Sequence, residues 1–545
     1  MGTAGGGAAL PTVAADRLIS IIAHARSGAL DQAWALFRDA GFEAVTDDPA
    51  VLGVRGRLLK DRALAASPAE RKRLLGIAAE AYAAAAAING ASYPLINAAT
   101  LALLAGDAER ARAHALRVIE RIEAQPDEPE TPYYRAATLA EAQLLMGRID
   151  AARAALAEGI ALAPRAWEDH ASTLRQFGLI LDALGADKGW LDRFRPPRSM
   201  HFAGPLRIAS GEALSARVAE LIAAERIGFA FGALAAGADM VIAEAAIDAG
   251  AELHVILPGH RADFVSRSVA PFGDQWERRF AELIEQAETV REVVTGFGAV
   301  DHAAVALADT MAMGSAAMQA GLLQSEAVQL IVTAEDADAG AGDNTGRVSQ
   351  RWLAAGRRQL RATVPAIATM PEPALLSDEE ERGMAAMLAL SPAGDGALPP
   401  DDLAARIAAI AGILSDRGSA AASPCWAAGL LHLTFGDAAS AAHTAQDLAR
   451  ALAGFPGWRI AGHFGSVLRV KDGLTARSVL FGPAAKVSAR LLASVPPGAI
   501  HVTDAFALAL WAENAAPPGT GLVGEVIGED GLPVPIYALA RAAAE

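Results

Sequence analysis

A strand-to-helix turn near the middle of the sequence has the residue types that suit an anionic ligand. The segment Arg226–Gly259 contains an apolar run ending at Gly232, a turn with Gly237, an alanine-rich helical pattern and a second apolar run. This order predicts a βαβ unit with a right-handed crossover. Backbone N–H groups at such a turn closely approach an anion or a ribose. We therefore predict that Gly232, Gly237 and Asp239 line a ligand site.

These glycines also have a purely geometric interpretation. Any α/β protein uses glycine where the backbone leaves a strand and enters a helix, and the GxGxxG spacing is absent here. The sequence alone leaves both interpretations open.

A second polar group follows the apolar run Val328–Thr333. The loop Ala334–Gly346 lies beyond the carboxyl end of this predicted strand, where ligands bind in open α/β sheets. Its four carboxylates are of the type that holds Mg²⁺. A solvated loop is the alternative that we favour, so no metal site is predicted. The acidic residues are Glu335, Asp336, Asp338 and Asp343.

Composition limits the classes of function. At 545 residues the chain is long enough for three or four domains. Its net charge of -16 argues against nucleic acid and anionic membranes as partners. The single cysteine, Cys425, excludes a disulfide framework and fits a cytoplasmic protein. Residues 1–13 are predicted to be a disordered leader without signal-peptide features, and His302–Gln324 a buried helix rather than a membrane span.

Residues 14–195 are predicted to be helices joined by short turns. A glycine-acidic-alanine signature recurs at Gly28, Gly106 and Gly147, each time between two helical patterns. The pattern resembles tetratricopeptide repeats, although their Trp, Tyr and Pro positions are mostly missing. That resemblance implies a concave face that binds protein partners. A helical bundle without repeats is the alternative.

Strands and helices alternate after the linker Phe194–Ser199, which predicts a doubly wound parallel sheet. Thr345 is predicted to cap the helix that continues to Gln359. Besides the βαβ unit and the strand Val328–Thr333, the predicted elements are a strand at Leu206–Ala209 and helices at Glu212–Ala224, Trp276–Gln286, Val300–Leu323 and Val348–Gln359.

The motifs FAGP, GALAAGAD and LPGHRADFVSRS in this region resemble the SLOG superfamily of Rossmann-like, nucleotide-sensing proteins. The resemblance covers residues 200–366 and implies a nucleotide-derived ligand, with no other cofactor required. Within this superfamily, the fold most resembles a subgroup in which it is preceded by helices like those predicted here, which are called a TRAFs-binding region. The PGGxGTxxE motif of the active phosphoribohydrolases is absent, so binding rather than hydrolysis is implied. The implied ligand-binding residues are Gly204, Gly232, Gly237, Asp239 and Glu244.

An acidic, proline-bearing linker at 367–383 leads into a third region, residues 384–542, with an α+β order of elements. Predicted strands start near Met384 and lie near Trp426–Phe435, at Trp458–Val470 and at Ala499–Val502. Predicted helices lie at Asp401–Arg417, Ala438–Leu452 and Pro483–Leu492. The segments RIAGHFGSVLRV and FGPAAKVSARLL resemble class III nucleotide cyclases.

The cyclase resemblance also predicts that this region is catalytically inactive. Cyclisation needs divalent metal at the triphosphate, and the family holds it with two aspartates. Ser391 and Ala428 stand at those positions here, and neither can replace a carboxylate ligand; a shifted register would bring in Asp395 alone. The base-selecting positions align with Pro424 and Val479. The transition-state pair becomes Lys486 and Arg490, of which only the arginine matches.

We therefore expect a three-module signalling protein in which a nucleotide-like ligand in the central fold alters contacts made by the flanking modules. The cyclase resemblance adds an expected dimer, with itself or with an active cyclase. An active purine nucleotide cyclase and a pure interaction scaffold are the alternatives. His254 and His463 lie in apolar runs, so we interpret them as packing residues.

Overall fold

In the computed structural model the chain divides into two compact units: the first runs to Arg195 and also includes Gly521–Val523, and the second consists of Pro196–Thr520 with the segment that starts at Gly524. The described residues are 12–26, 30–64, 66–124, 131–208, 211–294, 300–334, 344–365, 382–393, 398–416, 422–427, 429–471, 478–516, 520–528 and 531–539. The chain is multidomain: a helical amino-terminal part, a parallel α/β fold and a carboxyl-terminal α+β fold.

The first unit is built from helices because its sequence is rich in alanine and leucine at helical spacing. The predicted turns at Gly106 and Gly147 are confirmed, since both glycines have the positive φ that closes a helix. The turn at Gly28 lies outside the described residues. The helices are α1 Thr12–Arg26, α2 Leu30–Asp39, α3 Pro49–Leu64, α4 Pro68–Asn89, α5 Ser92–Ala105, α6 Ala108–Ala124, α7 Pro132–Leu145, α8 Ile149–Leu162 and α9 Trp167–Leu184.

The second unit begins with a parallel sheet of six strands in the order β4-β3-β2-β1-β5-β6, which confirms the doubly wound prediction. Its central strands are buried on both faces, so they read as continuous apolar runs. The strands are β1 Arg198–Ala203, β2 Ile227–Gly232, β3 Glu252–Pro258, β4 Thr289–Val293, β5 Ala327–Ala334 and β6 Arg358–Val364. The helices are α10 Gly211–Glu225, α11 Ala238–Asp248, α12 Arg261–Ser268, α13 Asp274–Gln286, α14 His302–Leu322 and α15 Asn344–Ala354.

The prediction of a first strand at Leu206–Ala209 was wrong, because β1 is Arg198–Ala203, which includes residues assigned to a linker. The sequence pattern did not predict this strand because two of its buried side chains, Ser199 and His201, are polar. His201 is buried, its Nδ1 accepts a hydrogen bond from the side-chain amide of Gln329 on β5 at 3.1 Å, and its ring stacks on Trp352. Burial lowers the pKa of His201 to about 3. A central strand therefore carries a satisfied polar pair inside an apolar core.

The predicted helix Val348–Gln359 also needs correction. Helix α15 starts at Asn344 and ends at Ala354, so Thr345 lies inside it rather than capping it. Gly356 has a φ of 71°, which turns the chain. Gln359 then lies in the edge strand β6, where it pairs with Gln329 of β5. The sequence pattern did not separate this strand from the preceding helix.

The α+β fold is built on a mostly antiparallel sheet in which β10 pairs with β7 and β11 antiparallel and with β12 parallel. The predicted strand near Trp426–Phe435 is a hairpin of two strands that turns at Gly429. The strands are β7 Arg382–Ser391, β8 Ala422–Ala427, β9 Leu430–Phe435, β10 Arg459–Lys471, β11 Ser478–Phe481, β12 Ile500–Thr503, β13 Gly521–Ile527 and β14 Pro533–Ala538. The helices are α16 Pro400–Asp416, α17 Ala438–Ala451, α18 Pro483–Leu492 and α19 Asp504–Ala512.

Helices α14 and α19 join the two folds of the second unit. A Cβ on Gly314 of α14 would lie 2.6 Å from the carbonyl carbon of Leu508, so the helix backbones are in close contact. Two turns later, a Cβ on Gly321 would lie 2.5 Å from the Trp511 ring. Small residues on α14 therefore permit this packing.

No helix within the described ranges combines the length and apolar character needed to cross a membrane.

Candidate functional site

The candidate ligand site lies at the topological switch point of the parallel sheet. Strands β1 and β5 are neighbours in the centre, and the chain continues from them towards opposite edges of the sheet. A crevice opens outside the carboxyl ends of such strands, and ligands bind there in open α/β sheets. The loops that leave β1 at Gly204 and β2 at Gly232 reach this edge.

The first of these loops covers the second at Gly237. The φ of Gly237 is +92°, and a Cβ there would lie 2.5 Å from the carbonyl oxygen of Leu206. Ala238, the first residue of α11, donates its N–H to the carbonyl oxygen of Pro205 at 3.1 Å. One donor of the helix N-terminus is therefore already used by the chain. Glycine is required at 237 both for its conformation and for this close approach.

The carboxyl group of Asp239 ties the two loops together. Asp239 is buried and accepts hydrogen bonds from the N–H of Gly204 at 3.1 Å and of Ala235 at 3.3 Å. Burial raises the pKa of Asp239 well above its ordinary value, and the nearby Asp309 carboxylate adds to this. Asp239 thus positions the loops that would contact a ligand.

Two further predicted residues, Gly204 and Gly232, lie in the same region, and the absence of a side chain at each permits close packing. A Cβ on Gly204 would lie 2.5 Å from the Cβ of Ala238, and a Cβ on Gly232 would lie 2.7 Å from the Phe202 ring. The structure therefore brings Gly204, Gly232, Gly237 and Asp239 to one edge of the sheet. Their role in binding stays a prediction.

Glu244 differs from the other four. Its two carboxylate oxygens accept from the Arg279 guanidinium of α13 at 2.5 and 2.6 Å. Such a bidentate pair fixes α13 against α11. The structure thus gives Glu244 a helix-packing partner in place of a free carboxylate.

Sequence reasoning missed Asp309 and Asn344 as members of this site. Asn344, the first residue of α15, donates its side-chain N–H to Asp309 Oδ2 at 2.9 Å. Burial raises the pKa of Asp309 to about 6, although Asn344, Arg351 and Arg347 oppose the rise. The signal was present, because Asp309 is the one acidic residue in the apolar helix α14.

Replacing Asp309 with asparagine is expected to change how stability depends on pH. Asp309 holds its proton more tightly in the folded chain, so its stabilisation is complete below the unfolded pKa near 3.8 and is lost as pH rises through about 6. The uncharged amide of the variant does not titrate and therefore lacks this loss. The stability of Asp309→Asn relative to wild type should therefore increase by up to about 3 kcal/mol between pH 4 and pH 8.

Urea denaturation of both proteins across this pH range measures the effect. Asp248→Asn, the same substitution at an exposed position on α11, serves as the control, and the pH-dependent change for Asp309→Asn should exceed the change for this variant. A flat difference for Asp309→Asn would contradict the prediction.

The acidic loop with Glu335, Asp336, Asp338 and Asp343 lies outside the described residues. Within the described part of the chain, no group of three His, Cys, Asp or Glu side chains is placed to hold a metal ion.

In the cyclase-like fold, the position of the first expected metal ligand is the end of β7. Leu390 of β7 pairs with Leu431 of β9, so Ser391 lies at the sheet edge where the β8–β9 hairpin turns. Ala428, the second expected position, lies outside the described residues. The structure therefore places a buried serine, rather than a carboxylate, at the first of the two positions.

A buried arginine stands beside this edge. Arg406 of α16 is 2% exposed, and its guanidinium donates to the carbonyl oxygens of Pro392 and Pro456 and lies over the Phe455 ring. Pro392 directly follows Ser391. A fixed positive charge here disfavours divalent cations through Coulomb repulsion, which acts strongly where water is excluded.

The other cyclase-like positions lie around α18. Lys486 and Arg490 are both exposed, one turn apart, and Arg490 also donates to the carbonyl oxygen of Ile527 at 3.5 Å. A cavity of about 300 Å³ lies nearby, and its lining includes Leu480 of β11, the arginines Arg382 and Arg469, Thr434 and apolar residues of neighbouring strands. Leu480 follows Val479, the position that the resemblance assigns to base selection.

His254 and His463 both make packing and hydrogen-bond contacts. His254 stacks on Phe231 and bonds to Thr289 Oγ1 at 2.9 Å. His463 bonds to Thr503 Oγ1 at 2.8 Å, and burial lowers its pKa to about 4.

Helical repeats followed by a parallel α/β fold and an α+β fold thus define the class of this multidomain protein. A family model described as Tetratricopeptide Repeats-Sensor matches residues 14–102, which are therefore similar to that family. No curated protein matches the chain.

Solved nucleotide cyclases are similar to one part of the chain. The guanylyl cyclase Cya2 is 16% identical, with a TM-score of 0.25, covering 30% of this chain and 95% of its own. An adenylate/guanylate cyclase/hydrolase from Silicibacter pomeroyi is 24% identical, with a TM-score of 0.24, covering 29% and 98%. The adenylyl cyclase CyaB from P. aeruginosa is 14% identical, with a TM-score of 0.24, covering 30% and 98%.

Proposed function

We propose that this chain is a signalling protein in which a nucleotide-like ligand, bound at the switch point of a SLOG-like fold, alters protein contacts made by the flanking modules. The helical repeats, similar to a TRAFs-binding region, are the proposed protein-binding module. The cyclase-like fold is proposed to be a pseudoenzyme that pairs with itself or with an active cyclase.

The observation that carries this proposal is that one helix touches both the candidate site and the cyclase-like fold. Helix α14 carries Asp309 at the switch point and, five residues later, Gly314 against the backbone of α19. The distance between them along the helix is about 7.5 Å. Because packed backbones cannot be compressed, a ligand that shifts α14 also shifts α19.

The parallel-sheet fold also holds both ends of α19. Arg291 of β4 forms an ion pair with Asp504, which is buried at the start of the helix. Arg357 donates to the carbonyl oxygens of Trp511 and Ala512 at the other end. A carboxylate at the N-terminus and guanidinium contacts at the C-terminus both match the helix dipole. Helix α19 is therefore positioned from outside its own fold.

Movement of α19 would reach the antiparallel sheet directly. Phe506 of α19 lies against Gly462 of β10, where a Cβ would come within 3.2 Å of the ring. Strand β10 pairs with β7, which ends at Ser391, and continues to β11 beside the cavity. The contacts thus form a continuous route from the switch point to the surfaces around α18.

A thermal-shift screen of the full chain against nucleotides and nucleotide derivatives tests the proposal. A ligand that binds the folded state stabilises it by about 2.7 kcal/mol at a concentration of 100 Kd. The Gly237→Ala variant should lose this stabilisation, because a Cβ there displaces the loop at Leu206.

Gly250→Ala is the matched control for this experiment. Gly250 also has a positive φ, but a Cβ there meets nothing within 4 Å. The Gly250→Ala variant should keep the ligand response, although it introduces the same kind of backbone strain at a positive φ as Gly237→Ala. A ligand that stabilises Gly237→Ala as well as wild type would place the site elsewhere, and the absence of any stabilising nucleotide would favour the pure scaffold.

A further inference from the structure

A repeated polar face runs across alternate helices of the first unit. Helices α5, α7 and α9 each contribute two positions seven residues apart, which lie on one side of a helix and about 10.5 Å apart along its axis. One row contains Tyr93, Tyr134 and Asp169, and the other contains Thr100, Glu141 and Gln176. We call these six residues the polar face.

Direct hydrogen bonds show that the rows are contiguous. The Tyr134 hydroxyl donates to Asp169 Oδ1 at 2.6 Å. In the second row, the Thr100 hydroxyl and the Gln176 side-chain amide both donate to Oε1 of Glu141. Side chains from three helices therefore meet at one place, where Thr100 is buried and Glu141 and Gln176 are partly exposed.

The polar face combines aromatic rings with carboxylates. Tyr93 is 62% exposed and Tyr134 is 43% exposed, although both are large side chains on packed helices. Glu141 is partly buried, and burial raises its pKa although Thr100 and Gln176 oppose the rise. Neutral donors hold Oε1 of this carboxylate. The positive charge of Lys60 on α3 also opposes the rise in the pKa of Glu141.

We infer that the polar face binds a basic, extended peptide segment, with an arginine or lysine side chain against Glu141 and Asp169 and between the two tyrosine rings. Carboxylates attract the cation, and aromatic faces add cation–π attraction of about 0.5–1 kcal/mol at exposed sites. This inference rests on the proposed role of the helical repeats as a protein-binding module.

Fluorescence anisotropy of the full chain tests the inference at about 150 mM salt, where long-range attraction is screened. The probe is a labelled nonapeptide in which arginine alternates with glycine, and the same peptide with glutamate in place of arginine is its counterpart. The arginine peptide should bind, and the glutamate peptide should not.

Matched variants separate the polar face from the general negative charge of the chain. Glu141→Gln keeps the side-chain shape and an acceptor for Thr100, and it should weaken arginine-peptide binding about tenfold. Glu158→Gln removes the same charge from an exposed position on the neighbouring α8 and should change binding less than twofold. Asp169→Asn, in the other row, should also weaken binding and provides a second test if Glu141→Gln disturbs folding.

Equal effects of Glu141→Gln and Glu158→Gln would overturn the inference, as would binding of the glutamate peptide or of neither peptide. The nucleotide screen on the same protein reports separately on the switch-point site. A lost peptide interaction with an intact nucleotide response would reject the basic partner while leaving the ligand-coupled function standing.

Discussion

Gly314→Ala is expected to destabilise the second unit by about 3 kcal/mol or more, although alanine is the better helix former. The added methyl group would lie 2.6 Å from the carbonyl carbon of Leu508, and closer still to its oxygen. These are backbone atoms of α19, so no side chain can rotate away to make room. The two helices must separate, which also disturbs Arg291–Asp504 and the Arg357 contacts.

Gly412→Ala is the matched control for Gly314→Ala. Gly412 lies in the interior of α16, in the same unit, and a Cβ there meets nothing within 4 Å. The same substitution should therefore stabilise the protein by about 0.5–1 kcal/mol through helix propensity. Urea denaturation followed by circular dichroism measures both variants. Effects of the same sign and size would contradict the close contact between α14 and α19.

No cyclic nucleotide is expected from the purified protein with ATP or GTP and either Mg²⁺ or Mn²⁺. The hydroxyl of Ser391 cannot replace a carboxylate ligand, and Ala428 offers no ligand atom. The buried guanidinium of Arg406 next to Pro392 adds a charge that opposes metal binding. The expected effect is complete loss of activity rather than a reduced rate.

The same assay is repeated with a candidate partner cyclase, because Arg490 is exposed and matches the arginine that the cyclase resemblance assigns to the transition state. Activity that appears only in the mixture and falls with Arg490→Ala would support a heterodimer. Lys471→Ala, also at an exposed position, is the control and should leave that activity unchanged. Cyclic nucleotide made by the protein alone, and lost in Arg490→Ala, would establish the active-cyclase alternative.

The sequence predicted the elements whose local patterns agree with their surroundings. Strand β2 ends at Gly232 as predicted, because it is an unbroken apolar run, and helix α18 has the predicted bounds, because it begins with proline and has an amphipathic pattern. Strand β1 was missed because Ser199 and His201 are polar yet buried, and for His201 only its partners Gln329 on β5 and Trp352 on α15 explain this.

The part of the candidate site that the sequence predicted comes from one continuous segment. Gly232, Gly237 and Asp239 lie in a single turn, so their spacing was enough to bring them together. Asp309 and Asn344 come from two helices that meet only in the folded chain. The pairing of Glu244 with Arg279 likewise depends on how α11 and α13 pack, which no local pattern records.

The packing of α14 on α19 also has an evolutionary consequence. Gly314 and Gly321 of α14 fit the surface of α19, and two arginines of the parallel-sheet fold contact the ends of α19. An unrelated cyclase-like fold would not present a helix that fits these residues. Gene recombination that exchanged either fold alone would leave apolar helix surface exposed and buried charges without their partners. The two folds of the second unit can therefore be transferred between proteins only as a pair.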